Sequence, residues 1–270
     1  ATTLQILDEP NRDPSTKSYV YCFRGGGKGN EVILYDYNEC NHQQYVAEWF
    51  EGFSGYIHSD ADSFFSRIYS QDDVHSALCN AHARRKFESI DKQSKKKGLA
   101  HHAMLIYGKL YKIEKKARKD KISAVQRYEL RQKHSKPILE EFKVWLDQKI
   151  NLVPQQSPIF KAMRYVIKNW KGLIRYLEDG NLLIDNNHTE REIKPFVIAR
   201  KNFMFCKSQA GARALCLHFS LIRSAKLHCL DPYKYYVKIM KSIPLCQTIE
   251  DYEALLPWNV DIEKVVRMCF

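Results

Sequence analysis

Residues 181–202 read NLLIDNNHTEREIKPFVIARKN. A short apolar run ends in Asp185-Asn186-Asn187, and a polar stretch bearing Glu190 and Glu192 follows. Pro195 interrupts it and Arg200-Lys201-Asn202 closes it. Two readings compete. In the local one, Asn187 is a helix N-cap and Glu190, three residues on, closes a capping box. In the other, one of these carboxylates binds a metal beside a nucleic-acid phosphate, and the basic residues serve that phosphate. The rest of the chain bears on the choice.

At 270 residues the chain is long enough to bury a sizeable core, as one large domain or one domain with an insertion. A hydrophobic content of 44% and an aromatic content of 12% argue against disorder. No apolar run reaches the roughly 18 residues of a membrane span. The opening ATTLQILDEPNRDP lacks the basic-then-apolar layout of a signal peptide. The eight cysteines are scattered, with no CxxC pair, which reads as reduced thiols in a cytosolic protein. A net charge of +12 favours a polyanionic partner, most simply nucleic acid. Charge alone does not separate DNA from RNA or from an anionic membrane surface.

Outward from the opening stretch, residues 2–7, 18–23 and 31–37 read as strands, and RGGGKGN between the last two reads as a hairpin turn. The GxxxxGK[ST] spacing of a nucleotide loop is absent. In HQQYVAEWFEGF, Val46, Trp49, Phe50 and Phe53 mark the core face of an amphipathic helix. GYIHSD reads as a strand beside the hairpin that ends in Asp60; Phe64, Phe65 and Ile68 mark a short helical stretch, and VHSALCN another strand. This order, β-β-β-α-β-α-β, predicts a hairpin-based mixed sheet. From Ala81 to about Gly180 the pattern becomes helical, with Leu99, Ala103, Ile106, Tyr107, Leu110 and Ile113 in one period and two similar sets after it. About four helices are expected there. Residues 84–121 carry fourteen Lys/Arg against four Asp/Glu, either a solvated face or a phosphate-contacting surface. Residues 212–227 predict a further helix. Asp231 before Pro232, and Thr248 with Asp251, announce two more helix starts.

Several residues could do chemistry. Asp60 closes a strand, a common place for a metal ligand and an ordinary place for a helix cap; in SDADSFF either Asp60 or Asp62 could cap. Asp36 alternates with Val32 and Leu34, which turns it inward and calls for a partner or a metal. Cys79 and His82 are zinc-type ligands at i, i+3, but no second pair follows at finger spacing, so His82 is read as a phosphate or site-orienting group or as a structural histidine. Phosphodiester chemistry with two divalent ions needs hard oxygen ligands on ions about 3.5–4 Å apart, inside a basic surface.

The motifs LLIDNNHTEREIKPFVIARKNFMF, FEGFSGYIHSDADSF, CNAHARRKF and SLIRSAKLHCLDPYKYYVKIM…LLPWN occur in an order that resembles the IS66-family transposases over nearly the whole chain. The resemblance implies an α/β, RNase H-like mixed sheet carrying a DDE triad, with a large all-helical insertion and a helical C-terminal region. It divides the chain into a first core part (1–82), a basic helical insertion (83–180), a last core part with the glutamate helix (181–227) and a C-terminal helical region (228–270). By resemblance, Asp60 matches the second aspartate and Glu190 the glutamate, both catalytic and metal-binding. Cys79 and His82 match a CxxH element between them. His82, Asn186, Asn187, Arg200 and Lys201 take supporting or DNA-binding positions, and Glu192 points elsewhere. The implied cofactor is Mg2+, with Mn2+ as a substitute. The implied partners are DNA (transposon ends and target), other copies of the chain on that DNA and accessory transposon proteins, in the bacterial cytoplasm and without a membrane.

The sequence also departs from the family pattern. The family's first aspartate falls just ahead of Ala1, DGY has become Asp60-Ala61-Asp62, and NECN replaces the usual Ser-Arg. The expectation is therefore a transposase, Mg2+-dependent in end cleavage and strand transfer, that is truncated and impaired. A non-catalytic DNA-binding remnant is the alternative, and a nuclease acting on RNA–DNA hybrids is a third and weaker one.

Overall fold

The computed structural model of the chain describes residues 1–27 and 29–261. The strands are β1 (Thr2–Asp8), β2 (Lys17–Gly25), β3 (Val32–Asn38), β4 (Gly55–Ser59), β5 (Val74–Leu78) and β6 (Phe205–Ser208). The helices are α1 (Gln43–Trp49), α2 (Asn80–Gln93), α3 (Leu99–Lys119), α4 (Ala124–Leu130), α5 (Lys136–Ile150), α6 (Pro158–Lys168), α7 (Trp170–Ile174), α8 (Asn187–Phe203), α9 (Gln209–Leu227), α10 (Pro232–Ser242) and α11 (Ile249–Glu253). They fall into two compact units, residues 1–41 with the chain from 188 onward, and residues 42–187.

The first unit is built on a four-stranded mixed sheet in the order β3-β2-β1-β6. The predicted hairpin is present: β2 and β3 run antiparallel from Tyr19↔Asn38 to Gly25↔Val32. Its turn needs glycine at Gly26, where φ is +88° and a Cβ would lie 2.0 Å from the Asn30 carbonyl oxygen. Lys28 of that turn lies outside the described residues, as do residues 262–270 of the expected C-terminal region. Leu4, Ile6, Val20, Ile33, Tyr35 and Tyr37 form the covered face, closed by Phe196 of α8 and by Ala212 and Cys216 of α9. The outer edge of β3 is covered by α9. There the Tyr35 N–H donates to Ser220 Oγ at 2.8 Å and the Ile33 N–H to Ser224 Oγ at 3.0 Å. Two serines on a helix face thus stand in for a fifth strand. The two predicted starts hold: Asp231 accepts the Tyr233 and Lys234 N–H groups, and Thr248 with Asp251 forms a capping box.

Three expectations about this sheet and its neighbours need correction. The strand expected beside the hairpin, Gly55–Ser59, pairs with β5, and the strand hydrogen-bonded to β1 opposite β2 is β6. Asp36 is half-buried on the same face of β3 as Val32 and Leu34, but the core is on the other face, with Ile33, Tyr35 and Tyr37. Both faces of β3 are apolar, so alternation alone could not choose between them. Asn187 is the first residue of α8 rather than its N-cap, and its N–H donates to Asp185 Oδ1 at 3.1 Å.

The second unit holds a two-stranded parallel sheet, β4 with β5, and a helical core. Ala103, Ile106, Tyr107 and Leu110 of α3 meet Leu139, Phe142 and Leu146 of α5 and Met163 and Val166 of α6, as the periodicity predicts. Of the face assigned to the first helix, only Val46 is fully buried. Trp49 and Phe53 are 38% and 39% exposed, because α1 ends at Trp49 and each of these rings meets Phe50 edge-on instead. The helical stretch is more broken than the four expected helices: a π-helical turn, Arg131–Ser135, joins α4 to α5, and the short α7 follows α6.

That π turn buries Arg131 completely. Its guanidinium binds both Glu114 oxygens, at 2.7 and 2.8 Å, and donates to the carbonyls of Tyr176, Asp179 and Leu182 at 2.6–2.9 Å. Gly180 in the same loop packs so tightly on Ala124 that a Cβ would sit 1.8 Å from its carbonyl oxygen. The loop leading to residues 184–187 is thereby held in place. No helix among the described residues is long and apolar enough to cross a membrane.

Candidate active site

In the second unit, Asp60 directly follows β4, at the carboxyl end of the strand. The capping role that SDADSFF offered falls to Asp62, which accepts the Phe64 N–H at 2.9 Å. Asp60 lines a cleft of about 470 Å3 together with Asp62, His82, Arg85, Lys86 and Tyr165. The cleft pairs carboxylates with cations. Arg85 reaches His82 Nε2 at 3.4 Å and donates to Asn187 Oδ1 at 3.3 Å. The Lys86 ammonium stands 4.3 Å from the centre of the Tyr165 ring, a cation–π contact that holds it at the rim. Burial, then the neighbouring Asp60, pushes the Tyr165 hydroxyl up.

Position in α2 explains His82 and Cys79. Cys79 is the N-cap of α2, and burial pushes its thiol up. Asn80 fastens this helix start by donating its backbone N–H to the Ile184 carbonyl at 3.1 Å and its side chain to the Leu173 carbonyl at 2.9 Å. His82 is in the first turn and Arg85 one turn on, on the same side. Asn186 is half-buried, and its side-chain oxygen is buried without a hydrogen-bond partner among the described residues.

In the first unit, Glu190 is half-buried in the first turn of α8, where a negative charge is favoured by the helix dipole. Glu192, two residues on, is committed elsewhere as expected: its carboxylate binds Arg223 at 2.6 and 2.9 Å. Arg200, read from sequence as a phosphate group, has its Nη1 on β1, donating to Thr2 Oγ1 at 3.0 Å, Thr3 Oγ1 at 2.8 Å and the Thr3 carbonyl. Lys201 is exposed. Sequence reasoning missed Lys86 as a partner of Tyr165, and Tyr165 itself, because α2 and α6 are far apart in the chain and no spacing links them.

Within the second unit, the cleft offers the carboxylates of Asp60 and Asp62, hard oxygen donors of the kind a divalent cation takes, beside the cations of Arg85 and Lys86. A basic α/β protein with an acid- and base-lined cleft is thus defined. The model of the family described as "Transposase IS66 family" matches residues 1–214, and that of the "IS66 C-terminal element" matches residues 220–258. The chain belongs to the IS66 transposase family.

Among curated relatives, it is similar to three uncharacterized proteins of Sinorhizobium fredii. With y4jD it is 36% identical over 70% of this chain and 37% of that protein. With y4qI it is 29% identical over 96% of this chain and 49% of the relative. With y4hP it is 28% identical over 87% and 45%. The chain therefore spans less than half the length of these relatives. No solved structure matches it.

Proposed function

We propose that this chain is the catalytic core of a DDE-type transposase that cleaves DNA at transposon ends and transfers the freed strand to target DNA, with Asp60 and Glu190 as metal-binding carboxylates. The observation that carries the reading is the strand-end Asp60 in a cleft whose other side is cationic, in a chain matched along its length by the family. RNase H-like architecture, dependence on Mg2+ (or Mn2+), assembly of several copies on DNA, accessory transposon proteins and a bacterial cytoplasmic setting belong to the same proposal. So does the division into core parts at 1–82 and 181–227, a basic insertion at 83–180 and a C-terminal region from 228.

Bound divalent ions would supply Lewis-acid activation of the phosphodiester. The chain's own residues do the rest. Arg85 and Lys86 attract and orient the phosphate. His82, held beside Arg85, orients the cleft, and Asn186 and Asn187 present amide groups at the start of the glutamate helix. Arg200 steadies the first residues of β1, and exposed Lys201 adds charge for the DNA backbone. The basic stretch at 84–121 gives sequence-independent affinity that falls steeply with salt.

The test is cleavage and strand transfer on DNA carrying the element's own ends, with Mg2+ or Mn2+, beside binding measured by fluorescence anisotropy. Glu190→Gln and Asp60→Asn are expected to abolish cleavage while leaving DNA affinity within about threefold. Salt-sensitive binding with no metal-dependent cleavage would favour a non-catalytic DNA-binding role. Cleavage of RNA–DNA hybrids without regard to end sequence would favour a nuclease.

A further inference from the structure

The acid that opens the Asp-Asn-Asn stretch has no task in the reading above. Asp185 is only 9% exposed. A buried carboxyl is costly to keep unless it is hydrogen-bonded and useful. Its Oδ1 accepts the Asn187 N–H, the first amide of α8, at 3.1 Å. The first N–H groups of a helix have no partner inside it, so this bond fixes where α8 starts.

The surroundings of Asp185 hold it still. The preceding carbonyl, that of Ile184, accepts the Asn80 N–H of α2 at 3.1 Å. Tyr111 of α3 faces it: burial first, and then Asp185, pushes that hydroxyl up, so the phenol stays protonated beside the acid. His58 of β4 and Cys79 also feel its charge. Upstream, Arg131 clamps the carbonyls of residues 176, 179 and 182. An acceptor fixed from several elements therefore meets Asn187, the first residue of α8 and three residues before Glu190.

We propose that Asp185 is a positioning residue for Glu190: by fixing the first turn of α8 it sets the carboxylate that the metal requires. The proposal rests on the reading of Glu190 as a metal-binding carboxylate. It goes beyond capping for stability, because it ties the cap to metal affinity. The acceptor of the Asn187 N–H can be supplied equally by an amide oxygen, so Asp185→Asn preserves the device and Asp185→Ala removes it.

The experiment uses the full chain and two readouts that need no DNA: hydrogen exchange of the amides at 187–190, and Mn2+ binding followed by electron paramagnetic resonance. Asp185→Ala is expected to speed exchange at these amides about fivefold to tenfold, the size of a lost cap, and to weaken Mn2+ binding by a similar factor. Asp185→Asn is expected to stay within about twofold of the natural protein in both. Faster exchange with unchanged Mn2+ affinity in Asp185→Ala would overturn the proposal and leave a simple cap. Unchanged exchange would overturn it outright, and so would loss of Mn2+ binding in Asp185→Asn as great as in Asp185→Ala, which would mean that the charge and not the position matters. Glu190→Gln separates the two levels: if it leaves Mn2+ binding intact, the reading of Glu190 fails and the proposal falls with it, whatever Asp185→Ala does.

Discussion

The sheet unit and the helical unit solve the same problem in opposite ways. Each has backbone groups, outside regular pairing, that are cut off from water and must find partners. The sheet unit uses neutral hydroxyls: Ser220 and Ser224 of α9 take the N–H groups of Tyr35 and Ile33 along the edge of β3. The helical unit uses one ion: Arg131 takes three carbonyls and is neutralised by Glu114. Hydroxyls divide the task into small independent parts. A single guanidinium concentrates it, so its loss leaves both a charge and three carbonyls stranded.

The largest predicted effect follows from that concentration. Arg131→Met leaves Glu114 buried without its counter-ion, and unfolding in urea is expected to show a loss of about 3–5 kcal/mol. The double variant Arg131→Met with Glu114→Leu removes both charges and is expected to recover part of that loss. If the double variant is no better than the single one, the three carbonyls and not the ion pair carry the stability, and the contrast between the units weakens.

Next in size is a pH effect in the helical unit. Burial pushes His58 down to about 4, although Asp185 and a backbone contact with Leu78 work in the other direction. An unfolded histidine takes up its proton near pH 6.5, whereas the folded one resists until about pH 4. Stability is thus undiminished above about pH 6.5 and falls as the pH drops from there towards 4, by about 3 kcal/mol at most. His58→Gln, measured in metal-free buffer, is expected to flatten this part of the stability–pH curve. A slope that survives in His58→Gln belongs to other groups.

The two units also differ in how much of them could be read from the sequence, for a physical reason. Local rules act within a few residues, so the hairpin turn at Gly26, the periodicity of α3 and α5 and the starts at Asp231 and Thr248 were all legible. β6 was not: four residues between two helices become a strand only because β1 lies alongside. Arg131 sits in RQKHSK, which reads as a solvated run, and nothing local announces that residues 176–182 will fold back onto it. Asp36 went to the wrong face because Tyr35 and Tyr37 offered the core an equally apolar alternative. Motifs single out Asp60 and Glu190 as candidates and turn Glu192 elsewhere, and its carboxylate does meet Arg223. The cleft partner Tyr165 and the burial of Asp185 depend on contacts between distant segments, and no motif encodes them.

A smaller effect tests the hydroxyl solution. Ser220→Ala leaves the Tyr35 N–H without its acceptor behind α9, and a cost of about 1–3 kcal/mol is expected in urea unfolding. Ser224→Ala does the same to Ile33. If the serines act independently, the double variant costs about the sum. A double variant much worse than the sum would mean that the edge of β3 opens as one piece, which would make the sheet unit as concentrated as the helical one.

The smallest predicted effect is a control, because capping follows the same grammar in both units. In the helical unit Ser157 precedes Pro158 and accepts the Phe160 N–H at 3.2 Å. In the sheet unit Asp231 precedes Pro232 and accepts two N–H groups at 3.0 Å. In each pair proline takes the first helical position, where its missing N–H does no harm, and the preceding side chain supplies an acceptor. Ser157→Ala and Asp231→Ala are each expected to cost about 1 kcal/mol, with Asp231 the larger because its charge also meets the helix dipole. Raised salt should narrow that gap, since it screens the charge and leaves the hydrogen bonds. Equal losses at high salt would show that the units share their local chemistry and differ only in how they satisfy buried backbone. A persistent gap of more than about 1 kcal/mol would place the difference in the helices themselves and undo the comparison.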